Sequence, residues 1–171
     1  MQSLKRRHLL GVMAGLTALT GLTACGFRPL YAQKDLGLKL AHIDLVTPDT
    51  RTGYFVRNQL LTTLNVNEAE PKLYRLTVTL RERRYDVGLQ VDDTAVRAEI
   101  SNAVIYTLTD IKTRRVITRG NFTDTTTYDT SNTSPYVGVV AQKDGQERAA
   151  VSIADHIHAD LALFFYGQPK P

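Results

Sequence analysis

Cysteine occurs once in the 171 residues, at Cys25. No intrachain disulfide can form, so the domain depends for stability on its hydrophobic core alone. No apolar run reaches the roughly 20 residues that a permanent membrane-spanning helix needs, and the stretch from Leu9 to Gly21 is too short and too weakly apolar. Gly-x-Ser-x-Gly elbows, glycine-rich phosphate loops and zinc-ligand spacings are all missing, which leaves catalysis without candidate residues. The chain also lacks a Pro/Gly/Ser-rich linker and an internal repeat, which points to one domain.

What is present begins with a basic tip, Lys5-Arg6-Arg7-His8, followed by the apolar stretch and then Leu22-Thr23-Ala24-Cys25. Charge, then apolar segment, then a small residue is the layout of a secretory signal peptide. A cleavage site that ends in cysteine, with Leu three positions earlier, resembles a bacterial lipobox, in which the thiol is alkylated by a diacylglycerol and the chain is cut before the cysteine. The sequence thus divides into a signal peptide at 1–24, a lipidated tether at 25–36, a single domain at 37–167 and a short tail at 168–171. An exported protein whose signal merely contains a cysteine, or an unprocessed cytosolic chain, is the plainer alternative. Acylation would remove a reactive free thiol, and several acyl chains on one residue would hold the protein to a membrane lastingly.

Removing residues 1–24 changes the electrostatics. The full chain has 21 Lys and Arg against 17 Asp and Glu. Lys5, Arg6 and Arg7 leave with the signal and no acid does, so 18 bases face 17 acids and the net charge falls to +1. Basicity therefore belongs largely to the export signal, and nucleic acid is not an expected partner.

The mature chain would open Cys25-Gly26-Phe27-Arg28-Pro29-Leu30-Tyr31. Phe27, Leu30 and Tyr31 could simply form an apolar tether packed on the domain. The same opening resembles the LPS-assembly lipoprotein family, LptE, in its alphaproteobacterial form. That resemblance implies an outer-membrane lipoprotein with Cys25 as the lipidated residue. It also implies an LptD-type β-barrel that the protein plugs, lipopolysaccharide as the transported lipid, and an α+β domain. Gly26, where an Asp would favour inner-membrane retention, fits onward export as the sorting rule is understood.

Periodicity supplies an independent reading of the fold. Residues 37–46 alternate imperfectly, as in a half-buried strand with His42 on its surface. Thr47-Pro48-Asp49-Thr50 breaks it, and a helix capped by Asp49 or Thr50 follows, its apolar face made by Tyr54, Phe55, Leu60, Leu61 and Leu64. From Lys72 to Tyr85, Tyr74, Leu76, Val78 and Leu80 point one way while Arg75, Thr77, Thr79 and Arg81 point the other. A second strand runs from Thr94 to Asp110 with Asn102 the only polar residue on its apolar face. A short connection at 111–114 predicts an antiparallel return from Val116 to Tyr128, with Val116, Thr118, Gly120 and Phe122 toward the core. Asp92 and Asp93 read as turn residues. Tyr136–Val140 reads as a short turn, and a helix is expected from Gly145, with Ala150, Ile153, Ala154, Ile157, Leu161 and Phe164 at steps of three and four, ending at Gly167-Gln168-Pro169. The order β-α-β-β-β-α predicts a two-layer sandwich, two helices on one face of a four-stranded, mostly antiparallel sheet.

Three candidate features remain. Arg81, Arg83 and Arg84 offer forked donors to lipid phosphates, or else form a solvated strand end. His156 and Asp160 have helical i, i+4 spacing, which suits a surface pair better than a metal site; no metal and no cofactor beyond the covalent lipid is expected. The polar faces of the strands are longer than a small enzyme needs and suit a sheet that meets another protein. The function these features support is a non-catalytic lipoprotein that binds LptD and assists lipopolysaccharide insertion. The alternative is a lipid-anchored scaffold or binding subunit of another envelope complex; a periplasmic hydrolase is a third, weaker reading.

Overall fold

A computed structural model describes residues 40–89, 95–130 and 134–166. The signal and lipobox residues, Cys25, the tether, the Asp92-Asp93 turn and the Gly167-Gln168-Pro169 stop lie outside them. Elements follow the order β1 (Ile43–Val46), α1 (Arg51–Thr63), β2 (Tyr74–Leu89), β3 (Ala95–Asp110), β4 (Val116–Asp129) and α2 (Pro135–Tyr166). The strands lie side by side as β1-β2-β3-β4. β1 runs parallel to β2, joined through α1, and the other two pairings are antiparallel. Both helices occupy one side of the sheet. This is the α+β sandwich that the alternation predicts.

The first strand is shorter than its pattern suggested. Only Ile43–Val46 pairs, while Leu40 and Ala41 belong to a helical turn and His42 to the turn that follows it. Leu40 and Ile43 are three residues apart, a helical step rather than a strand step, and both are buried. His42 lies before the strand, its ring against the Pro71 carbonyl at 2.9 Å and Glu70 at 3.4 Å.

Helix α1 starts where a side chain can satisfy a bare amide. Thr50 is extended, and its hydroxyl accepts from the Gly53 N–H at 3.1 Å. The helix ends in a left-handed residue, Asn65, with Asn65 N–H donating to Thr62 and Val66 N–H to Leu61. Its buried stripe is Thr52, Val56, Leu60 and Leu64, one residue every four. Tyr54 is exposed, and Phe55 and Leu61 are only half-buried, so the apolar face lies about a quarter-turn from the one their hydrophobicity suggested. The branched Val56 sits at its centre.

Even-numbered residues of β2 face the helices, with Leu76 and Val78 buried. The strand continues past Tyr85 to Leu89 because β3 pairs with it along its length. On β3 the stripe Ala98, Ile100, Asn102, Val104, Tyr106 and Leu108 is buried throughout. Each apolar member contributes roughly 1.5–3 kcal/mol of transfer free energy for the larger side chains. On β4, Thr118, Gly120 and Phe122 face inward as expected, opposite Leu108, Tyr106 and Val104. Val116 does not. A register shift at Leu108/Thr109 sets it opposite Thr109, which points outward, and it is exposed.

Helix α2 begins at Pro135, ten residues before the expected start. Proline suits a first helical position, where no amide partner is needed. The valines and tyrosine that follow read as strand or turn because they are β-formers, and Tyr136, Val137, Val139 and Val140 are all exposed. From Gly145 the stripe proceeds through Ala149, Ala150, Ile153, Ile157 and Leu161, all buried.

One row across the sheet interrupts the apolar interior. Glu82, Asn102 and Asp124 stand opposite one another in register. The Glu82 carboxylate accepts from the Thr52 hydroxyl of α1 and from the Gln146 amide of α2, the latter at 2.8 Å. Asn102 is fully buried, and neither atom of its amide has a protein partner; the same holds for Asp124 Oδ2 and Gln146 Oε1. Beyond this row lies a separate cluster of Ala98, Ile100 and Tyr128, with Ala141 of α2 against it.

Candidate functional site

The side of the sheet away from the helices carries the odd-numbered residues of β2 and β3, and among the described residues no element packs on it. Its rows run Thr77-Thr107-Arg119, Thr79-Ile105-Asn121, Arg81-Ala103-Thr123, Arg83-Ser101-Thr125 and Tyr85-Glu99-Thr127. Hydroxyls dominate, with exposed Ile105 near the middle. At one margin Arg75 pairs with Asp44 at 2.8 Å, and at another Arg97 pairs with Asp129 at 3.3 Å.

Of the three candidate arginines, two share this face. Arg81 and Arg83 are exposed on it, and no ion pair among the described residues engages either. Arg84 is on the opposite face, two residues from Glu82, and its guanidinium is 2.7 Å from Asp86. The three-arginine patch is thus split by the pleat. Alternation already contained this: 81 and 83 share parity with Thr77 and Thr79, and 84 shares it with Leu76. The same rule locates Arg119, which sequence reasoning passed over. It neighbours inward-facing Thr118 and Gly120, so it must point outward, and it too has no ion pair among the described residues.

A second polar cluster sits under the C-terminal half of α2. The Tyr106 hydroxyl donates to Asp160 Oδ2 at 2.7 Å, and His156 Nε2 lies 3.6 Å from the same oxygen. The His156 ring stacks on Phe122, centroids 3.8 Å apart and planes 16° from parallel. Burial, and then the hydrogen bond to Asp160, push the Tyr106 phenol well above its ordinary range, so it acts as a donor and not as a base. The four groups lock α2 onto β3 and β4.

His158, two residues on, is half-buried, and desolvation holds its imidazole below the usual 6.5 despite an opposing pull from Asp155. The folded state therefore binds this proton less readily than the unfolded one, and stability should fall as pH drops through and below 6.5. His158→Gln should reduce the difference in melting temperature between about pH 7.5 and about pH 5.5; an unchanged difference would assign the pH dependence to other groups.

No helix among the described residues is long and apolar enough to cross a membrane. Comparison with solved structures gives three informative likenesses. A crystal structure from Caulobacter crescentus CB15, described as that of a lipoprotein, is 34% identical, with 80% of this chain and 99% of that one covered and a TM-score of 0.69. Rare lipoprotein B from Shewanella oneidensis shares the fold at 13% identity, covering 72% of this chain and 96% of that one, with a TM-score of 0.55. A minor lipoprotein from Acinetobacter baumannii does so at 18% identity, covering 71% and 92%, with a TM-score of 0.50. Neither a protein-family model nor a curated protein matches the chain. Identity at the level of the Caulobacter protein over nearly its full length shows common descent as well as common fold, and the chain belongs to that family of envelope lipoproteins.

Proposed function

We propose that the chain is a non-catalytic lipoprotein of the outer membrane, acylated on Cys25, whose domain binds and plugs an LptD-type β-barrel and assists lipopolysaccharide insertion. The observation that carries this reading is the four-stranded face that no described element covers, lined by threonines and by Arg81, Arg83 and Arg119, which no ion pair among the described residues engages. A face of that breadth and polarity suits the wall of a water-filled lumen better than a small substrate. Arg81 and Arg83, one row apart on β2, are spaced to fork toward separate phosphates. Family membership and the Cys-Gly-Phe-Arg-Pro-Leu-Tyr opening support the same reading.

Affinity purification of the full chain in mild detergent tests it. A large β-barrel should co-purify; recovery of an inner-membrane complex instead would favour the scaffold alternative. Charge reversal at Arg81, Arg83 and Arg119 should weaken lipopolysaccharide binding by at least about tenfold, the loss of one charge-assisted hydrogen bond. Circular dichroism should stay unchanged, since none of the three is buried. Undiminished binding would remove this face from the lipid-contacting surface.

A further inference from the structure

One end of the domain gathers features that the function above does not use. The first described residues lie there: the Asn67 N–H donates to the Ala41 carbonyl, and the Leu73 and Tyr74 N–H groups donate to the His42 carbonyl. The β3–β4 turn is at the same end, since the Ile111 N–H donates to the Leu73 carbonyl. So is the last turn of α2, where Phe165 packs on Tyr74 with ring centroids 6.0 Å apart.

This end is both apolar and cationic at its surface. Leu73, Ile111, Leu163 and Tyr166 are exposed, Leu163 by 59%. Among them the turn projects Lys112, Arg114 and Arg115, and no ion pair among the described residues engages any of these three. Of the acids nearby, Asp110 is shared between the turn and the Lys112 charge, and the others face different partners. Asp110 accepts from the Thr113 N–H at 2.6 Å and the Thr113 hydroxyl at 3.0 Å, which fixes the turn, while Glu68 and Glu70 face Arg57 and His42. Arg114 holds a left-handed backbone, φ 58°, where glycine or asparagine would be less strained. The turn keeps an arginine at a position that disfavours one.

We propose that this end of the domain rests on the surface of an anionic phospholipid bilayer, with Lys112, Arg114 and Arg115 at the headgroups and Ile111, Leu163 and Tyr166 at the interface. Charge complementarity selects an anionic surface, and exposed aliphatic residues beside a tyrosine suit the boundary between headgroups and acyl chains. Chain length agrees. Residue 40 lies fifteen positions beyond Cys25, a reach of at most roughly 50 Å, so a lipid on Cys25 would keep this end within range of the membrane that holds it. The proposal takes from the lipoprotein reading only delivery to a membrane, and a mass spectrum of the mature protein reads acylation separately.

The test uses the full chain isolated from membranes, with an environment-sensitive fluorescent amino acid at position 163 or, as a control at the far end, position 85. On vesicles of phosphatidylethanolamine and phosphatidylglycerol, the probe at 163 should shift to the blue and the probe at 85 should not. Each cation near such a surface is worth about a fivefold gain, so Lys112→Gln, Arg114→Gln and Arg115→Gln together should lower the docking constant by about a hundredfold. Unchanged melting would confirm that the variant folds. The proposal is overturned by no shift at 163, by an equal shift on phosphatidylcholine vesicles, by a shift that survives the triple substitution, or by one that appears only when another membrane protein is added.

Discussion

Gly53→Ala should lower the melting temperature of the domain by about 10 °C, although the position is inside a helix. Propensity alone argues the other way, since alanine is favoured over glycine there by about 1 kcal/mol. Sterics decide against it. A Cβ on Gly53 would drive into the Pro48 carbonyl oxygen and lie 3.0 Å from the Pro48 carbonyl carbon and 3.1 Å from Thr50 Oγ1. Two of those three atoms are backbone, so no rotamer change relieves the clash. The Pro48 carbonyl is itself held by the Thr50 N–H at 2.9 Å, and Thr50 caps the helix, so making room disturbs the turn and the cap together. A net loss of about 3 kcal/mol is the expected balance, which for a domain of this size corresponds to the stated shift. Thermal unfolding followed by circular dichroism checks it; an unchanged or raised midpoint would mean that the Pro48 turn yields freely.

Gly120→Ala should be nearly as damaging, for a different reason. Here the added carbon would lie 2.5 Å from the Tyr106 hydroxyl oxygen and 2.6 Å from two of its ring carbons. A ring can move where backbone cannot, but this one is 4% exposed and its hydroxyl is tied to Asp160. Displacing it costs overpacking of about 1–3 kcal/mol and a hydrogen bond to a charged group, about 1.5–3 kcal/mol, only part of which relaxation recovers. A loss of about 3 kcal/mol is expected in the wild-type background. In a Tyr106→Leu background the same alanine should cost less than about 1 kcal/mol, because nothing remains above it to strike. Additive losses in that double-mutant cycle would show that Gly120 matters for its own backbone and not for the ring it admits.

Much of the fold was legible because the two long strands obey strict alternation and because one side chain, that of Thr50, marks its helix start. What escaped had identifiable physical causes. The first ten residues of α2 contain Tyr, Val and Gly, and their burial gives no periodic signal because most of their apolar side chains face outward. β1 begins later than its pattern suggests because Leu40 is buried from a helical turn, and burial alone does not distinguish the two backbones. The candidate site was half legible. Arg81 and Arg83 shared a face as their parity required, but adjacency in sequence drew Arg84 into a patch that the pleat divides. Arg119 followed from the same parity and lay unread in a segment noted for threonine. In sequence the segment 111–114 reads only as a short connection, since its company, the end of α2 and the start of β2, exists only after folding.

The cross-sheet line of Glu82, Asn102 and Asp124 has a dynamic consequence. Cooperative unfolding relies on apolar contact that runs unbroken through a molecule, and at this line the contact gives way to carboxylate and amide. The tip bearing Ile100, Tyr128 and the early turns of α2 can therefore loosen while the rest stays closed. Amide protons on that side should exchange sooner than those around Leu76 and Ile157, so that this segment breathes by itself.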